Sequence, residues 1–231
     1  MKRLNDLHPS KPKAGMPETP DLGFAHVFVP AEKSSSPTLL MLHGTGGGEQ
    51  DLLPLGTELW PGAAVLGVRG KVLENGMPRF FRRFAEGVFD VEDLKSRTQE
   101  LAQFIDAASE RYDFSKKRLI AVGYSNGANI AASLVLLHPY YLAAGVVFRA
   151  SVPFVPDVIP DFSHLSVFIG AGRLDPIVPS GQVEELAAIF ESGGADVTIS
   201  WRQGGHELGE DDVRAAKIWL SKDKVRKRVA A

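Results

Sequence analysis

The sequence predicts an α/β domain, a mostly parallel central sheet with helices on both faces, and three observations carry that expectation. Short apolar runs alternate with segments of helical period along most of the chain. The run at 38–42 is almost continuously apolar, as strands buried on both faces are. The 231 residues suit one ample domain, given the usual ~150 residues per domain. A hydrophobic content of 44% with 23% charged residues is ordinary for a packed core of that size.

Pro9, Pro12, Pro17 and Pro20 make residues 1–20 an expected flexible arm, ahead of a single domain over 21–222. Strands are expected at 24–29, 38–42 and 63–68. Asp90 suits an N-cap and opens a long amphipathic helix, with Leu94, Leu101, Phe104, Ile105 and Ala108 on one stripe. A strand at 118–122 leads into a small-residue helix at 126–137 that stops near Pro139. Further strands are expected at 146–148, 166–170 and 197–201, with helices at 182–190 and 211–220. Residues 223–231 read as a basic tail, its cations suited to the negative pole of the last helix.

Composition excludes several functions. There is no cysteine, so disulfide frameworks, thiolate metal sites and cysteine nucleophiles are ruled out. The net charge of −2 argues against a strongly basic nucleic-acid surface. No stretch approaches the ~18 apolar residues of a membrane span. The polar N-terminus lacks the apolar segment of a secretory signal, so a cytoplasmic location is expected.

In open parallel sheets, ligands bind beyond the carboxyl ends of the strands. Those ends carry the chemistry here. Gly123-Tyr124-Ser125-Asn126-Gly127 fits G-x-S-x-G, a pattern that alone gives about 0.16 chance matches in such a chain. It lies between a strand and a helix, the setting of a nucleophile elbow, where glycines permit a sharp turn and the serine hydroxyl stands exposed. A serine needs a base to take its proton and a third group to orient that base, in the order Ser, Asp/Glu, His. His206, in a glycine loop after the strand at 197–201, is the candidate base; His138 and His164 occupy poorer positions. Asp175, after the strand at 166–170, is the candidate acid, while Asp157 and Asp161 lie before that strand. An Asp-Pro turn without catalytic role is the alternative for Asp175.

The loop His43-Gly44-Thr45-Gly46-Gly47-Gly48 follows the second strand and lets backbone amides converge on an anion. No Lys-Ser/Thr pair follows, as a phosphate loop would require. The Thr45 and Asn126 amides are the expected oxyanion donors, with His43 bracing the loop.

These residues resemble a known family, the small bacterial carboxylesterases of the phospholipase/carboxylesterase group in the α/β-hydrolase superfamily. The likeness runs from about Thr38 to Leu220 and includes LHGTGGGEQDLLPL, RFFRRFAEGVFDVEDL, GYSNGANIAASL, RLDPIVP and GGHEL. It implies an α/β-hydrolase fold without a separate cap domain, hydrolysis of short to medium acyl esters, and no cofactor or metal. It also implies Ser125 as nucleophile, Asp175 and His206 as its partners, and Thr45 and Asn126 as oxyanion donors.

The segment 70–90 is long for a connection and carries Arg79, Phe80, Phe81, Arg82, Arg83 and Phe84. Phe80 and Phe81 either wall the substrate pocket or simply pack, with the arginines in solvent. Arg149, beyond another strand, either meets an acidic substrate group or forms an internal salt bridge. A hydroquinone-type dioxygenase, as some relatives are labelled, and a non-catalytic binding protein are the competing functions. The expected partner is a small-molecule ester, with no nucleic acid or membrane, and both a monomer and a homodimer are compatible with the sequence. Carboxylic ester, thioester, lysophospholipid and lactone all remain open as substrate.

Overall fold

The computed structural model describes residues 22–230, so the arm expected at 1–20 lies outside the described residues. Its centre is a seven-stranded sheet. The strands are β1 (His26–Val29), β2 (Thr38–Leu42), β3 (Ala64–Val68), β8 (Leu119–Tyr124), β9 (Ala144–Phe148), β10 (Ser166–Gly172) and β11 (Asp196–Arg202). They lie in the order β1-β3-β2-β8-β9-β10-β11, with β1 antiparallel to β3 and every other neighbouring pair parallel. The α/β class expected above is therefore met.

Among the described residues, six α-helices cover the sheet: α1 (Leu53–Leu59), α2 (Val91–Tyr112), α3 (Asn126–Leu137), α4 (Ser180–Ser192), α5 (Glu210–Leu220) and α6 (Asp223–Ala230). Side chains alternate across a strand, and the two cores follow from that period. Leu40 and Leu42 of β2, with Leu119 and Ala121 of β8, point to the core beneath α2, α3 and α4. Leu39 and Met41, with Ile120 and Val122, point to the opposite core beneath α5 and α6. Burying each such leucine or isoleucine contributes about 1.5–3 kcal/mol.

α2 begins where expected. The Asp90 carboxylate accepts from the Asp93 amide, and Glu92 and Asp93 lie at the positive pole of the helix. The tail expected at 223–231 requires correction. Residues 223–230 form α6, which buries Val225 and Val229 against the sheet, while Lys224 and Lys227 are exposed, Arg226 lies over the Trp60 ring and Arg228 donates to the Leu165 carbonyl and to Ser166 Oγ. The valines at a four-residue spacing supply the packing that a purely electrostatic reading overlooked.

The segment 70–90 also departs from a plain connection. It folds into two small hairpins, β4 (Val72–Glu74) with β5 (Met77–Arg79), and β6 (Arg83–Ala85) with β7 (Val88–Phe89). Among the described residues, no helix is long and apolar enough to cross a membrane.

Candidate active site

β8 delivers Ser125 into a turn that few residues tolerate. Its φ is +52°, a left-handed value disfavoured by any side chain, and α3 starts at the next residue. Gly127 is required by close approach: a Cβ there would lie 2.0 Å from the Leu42 carbonyl oxygen. The elbow thus packs directly on β2, which aligns Ser125 with the loop after that strand.

The three residues singled out from the sequence meet at the carboxyl ends of β8, β10 and β11. His206 Nε2 lies 2.8 Å from Ser125 Oγ, and Nδ1 lies 2.8 Å from Asp175 Oδ2. The second carboxylate oxygen, Oδ1, accepts from the Ile177 and Val178 amides at 2.8 and 3.0 Å. Asp175 is almost fully buried and His206 partly exposed. Asp157 and Asp161 have no part in this cluster; the Asp161 carboxylate caps the Ser163 amide.

The loop after β2 and the first turn of α3 hold the two expected oxyanion donors. Among the described residues, neither the Thr45 nor the Asn126 amide donates to another backbone group. The strip 78–80 grips both sides of this gap. The Gly46 amide donates to the Pro78 carbonyl at 2.9 Å, and Arg79 Nη1 donates to Thr45 Oγ1 at 2.6 Å. The Phe80 amide donates to Asn126 Oδ1 at 2.7 Å. Arg79 is buried, with Glu74 as counter-ion, and burial holds its guanidinium below the ordinary value. Sequence reasoning missed Arg79 because one arginine among several in a short run carries no distinguishing signal.

His43 braces the loop as expected. Its Nδ1 donates to the Gly44 carbonyl at 2.6 Å while Nε2 accepts from the Gly70 amide at 3.0 Å, an arrangement that needs the neutral imidazole. Burial pushes this imidazole below its ordinary value of 6.5. The unfolded chain therefore takes up a proton below 6.5 that the folded chain refuses, and stability declines as pH falls from there toward the lower folded value. His138, also held down by burial, adds to the same slope. The melting temperature is expected to drop between about pH 7 and 5, with a shallower slope in His43→Gln. An unchanged slope in that variant would assign the effect elsewhere.

A cleft of about 230 Å³ opens at Ser125 and His206, bordered by Thr45, Arg79, Arg83, Glu86, Phe89 and Val178 among others. Segment 70–90 does wall it, but not through Phe80 and Phe81. Both rings are fully buried in the core, Phe80 against His43 at 4.7 Å and Phe81 edge-on to Phe89 at 5.2 Å. These two rings are drawn to the interior, and Arg79, Arg83, Glu86, Gly87 and Phe89 border the cleft in their place. Nor are all the arginines of this segment solvated, since Arg79 lies inside.

Arg149 also requires correction. The residue borders the cleft, yet its side chain is fully buried and all five donors are engaged within the protein, two of them on the Asp212 carboxylate. The internal salt bridge is the reading that fits, and no donor remains for a substrate acid. Among the described residues, no group of three or more His, Asp or Glu side chains is arranged to hold a metal ion.

Comparison with known proteins gives a consistent picture. The dienelactone hydrolase family matches residues 82–217, a span that includes Ser125, Asp175 and His206. A protein of Bacillus subtilis (strain 168) described as a hydrolase, MhqD, is 50% identical over 195 residues, covering 84% of this chain and 96% of that protein. The crystal structure of the Bacillus cereus carboxylesterase has a TM-score of 0.85 and 47% identity, covering 89% of this chain and 95% of the other. A carboxylesterase from Mesorhizobium loti has a TM-score of 0.82 and 28% identity, covering 89% and 98% of the two chains. None of these is described as a dioxygenase, and that alternative has no support.

Proposed function

The chain belongs to the dienelactone hydrolase family of the α/β-hydrolase superfamily, and from that premise we propose that it is a serine carboxylesterase working through Ser125, His206 and Asp175. The observation that carries this reading is the imidazole of His206, 2.8 Å from both the hydroxyl and the carboxylate. An imidazole held by a carboxylate at Nδ1 and facing a hydroxyl through Nε2 is placed to take one proton from that hydroxyl while the carboxylate stays ionised.

In the proposed reaction, Ser125 Oγ bonds to the ester carbonyl carbon while its proton passes to His206 Nε2. The carbonyl oxygen becomes an oxyanion held by the Thr45 and Asn126 amides, helped by the positive pole of α3. The tetrahedral species collapses, the C–O bond to the alcohol breaks, and the leaving alkoxide takes the proton from Nε2. Water then attacks the acyl-enzyme, gives its proton to His206, and the carboxylic acid departs as that proton returns to Ser125. Asp175 keeps the Nδ1–H tautomer throughout and stabilises the imidazolium.

The cleft of about 230 Å³ lies below the ~300–1,000 Å³ of typical small-molecule sites. That size supports small to medium carboxylic esters as substrates. A fluorophosphonate is expected to add once per chain, at Ser125 by peptide mass analysis, with hydrolysis of a p-nitrophenyl ester lost in proportion. Ester turnover persisting in fully labelled protein, or labelling confined to another residue, would sink the proposal.

A further inference from the structure

We infer that Arg149, with Asp212 as its counter-ion, and Tyr124 are positioning residues that set the reach of the His206 imidazole by gripping the carbonyls of its loop. The inference rests on the proposed role of His206 as the base.

The loop between β11 and α5 contains Gly204, Gly205 and Gly209, so it has little side-chain packing of its own to fix its course. Donors from outside supply what it lacks. Arg149 Nε donates to the Gly205 carbonyl at 3.0 Å, and Arg149 Nη2 donates to the Glu207 carbonyl at 2.9 Å. Between them, the Tyr124 hydroxyl donates to the carbonyl of His206 itself at 3.0 Å. Arg202 Nη2 adds a second donor to the Glu207 carbonyl at 2.6 Å. The residue carrying the imidazole and both its chain neighbours are therefore anchored through the main chain, leaving the ring free to work.

Arg149 is itself held on every side. Nη1 donates to the Gly170 carbonyl and to Asp212 Oδ1, both at 3.0 Å, and Nη2 reaches Asp212 Oδ2 at 2.7 Å. Asp212 Oδ2 also accepts from the Gly209 amide at 3.0 Å and lies 2.9 Å from Arg202 Nε, which ties the end of the loop to the start of α5. Two features mark the pair as more than packing. Arg149 has a φ of +58°, a left-handed backbone that a β-carbon disfavours. Its ion pair is buried at both ends, where desolvation offsets much of the attraction and apolar residues would serve stability as well. A fixed fork aimed at two carbonyls accounts for both.

Tyr124 connects the grip to the nucleophile. It immediately precedes Ser125, its ring centroid lies 5.7 Å from that of His206, and its hydroxyl holds the His206 carbonyl. One side chain thus spans the hydroxyl-bearing turn and the imidazole-bearing loop.

Tyr124→Phe and Arg149→Lys test this. The first deletes one hydroxyl. The second keeps the charge for Asp212, but an ammonium cannot serve both flanking carbonyls and the carboxylate with the geometry of the fork. kcat on a p-nitrophenyl ester is expected to fall about 5-fold for Tyr124→Phe and about 100-fold for Arg149→Lys, with KM within about twofold, because small misplacements of a catalytic group carry losses of that order. Both effects should vanish in a His206→Ala background, whose residual turnover no longer depends on where the imidazole stands. Unchanged kcat in the single variants overturns the inference, and so do equal losses with and without His206, which would indicate general loosening. If Arg149→Lys does not fold, Tyr124→Phe and its His206→Ala double variant decide. An active Ser125→Ala protein would instead remove the esterase reading itself.

Discussion

Ser125→Ala is expected to lower kcat on an activated ester by about 10⁴-fold or more while shifting folding stability by only about 1 kcal/mol. The activity loss follows from geometry, since no other hydroxyl is hydrogen-bonded to the His206 imidazole among the described residues. The small stability change follows from what the substitution removes. One partly exposed hydrogen bond is lost, and the amide of residue 125 still donates to the Phe148 carbonyl at 2.9 Å. The left-handed turn at φ +52° strains alanine and serine alike, so that cost is unchanged. Steady-state kinetics with a denaturant melt separate the two quantities. Turnover within tenfold of the parent would exclude Ser125 as the nucleophile.

Asp175→Asn is expected to lower kcat by about 10⁴-fold, because the substituted amide forces the wrong tautomer on the base. Oδ1 accepts from two backbone amides, those of Ile177 and Val178. An asparagine must keep its oxygen there, since its NH₂ group would oppose two donors. The NH₂ then faces His206 Nδ1, which has to become an acceptor. The imidazole proton moves to Nε2, where it points at Ser125 and cannot receive the hydroxyl proton. The fold tolerates the change because shape and both backbone hydrogen bonds survive. An asparagine variant retaining a tenth of the parent kcat would show that Asp175 does not fix the tautomer.

What could be read from the sequence divides along the range of the signals. β2 and α3 are found at their expected residues because continuous apolar character and small-residue helical patterning are local. Asp90 announces α2 for the same reason. Ser125, Asp175 and His206 were visible because each follows a strand in the order that the elbow implies. α1 was missed: seven residues containing Pro54 and Gly56 have weak helical preference, and Gly56 is drawn in by packing on Val65 and Met41. The hairpins of 70–90 were missed because strands of two or three residues carry too little periodicity to detect. The partner of Arg149 lies 63 residues further along, within an acidic first turn that reads as ordinary helix stabilisation. Arg79 depends on a hydroxyl 34 residues earlier. Pairings of that kind are products of tertiary folding.

The two hairpins divide their labour along the chain. β5 and the residue after it touch the backbone amide and side chains flanking the proposed oxyanion gap, at Gly46, Thr45 and Asn126, whereas the β6–β7 arm presents Arg83, Glu86, Gly87 and Phe89 to the cleft. Changes at Glu86 and Gly87, at the tip of the outer arm, can therefore alter which molecules are admitted, whereas Arg83 is tied through Glu74 to Arg79 and Phe89 packs on Phe81, so those two positions support the inner arm. Evolution of such a chain toward new compounds has a ready address at the tip of one short ribbon, where side chains can drift without the proposed machinery beneath it being rebuilt.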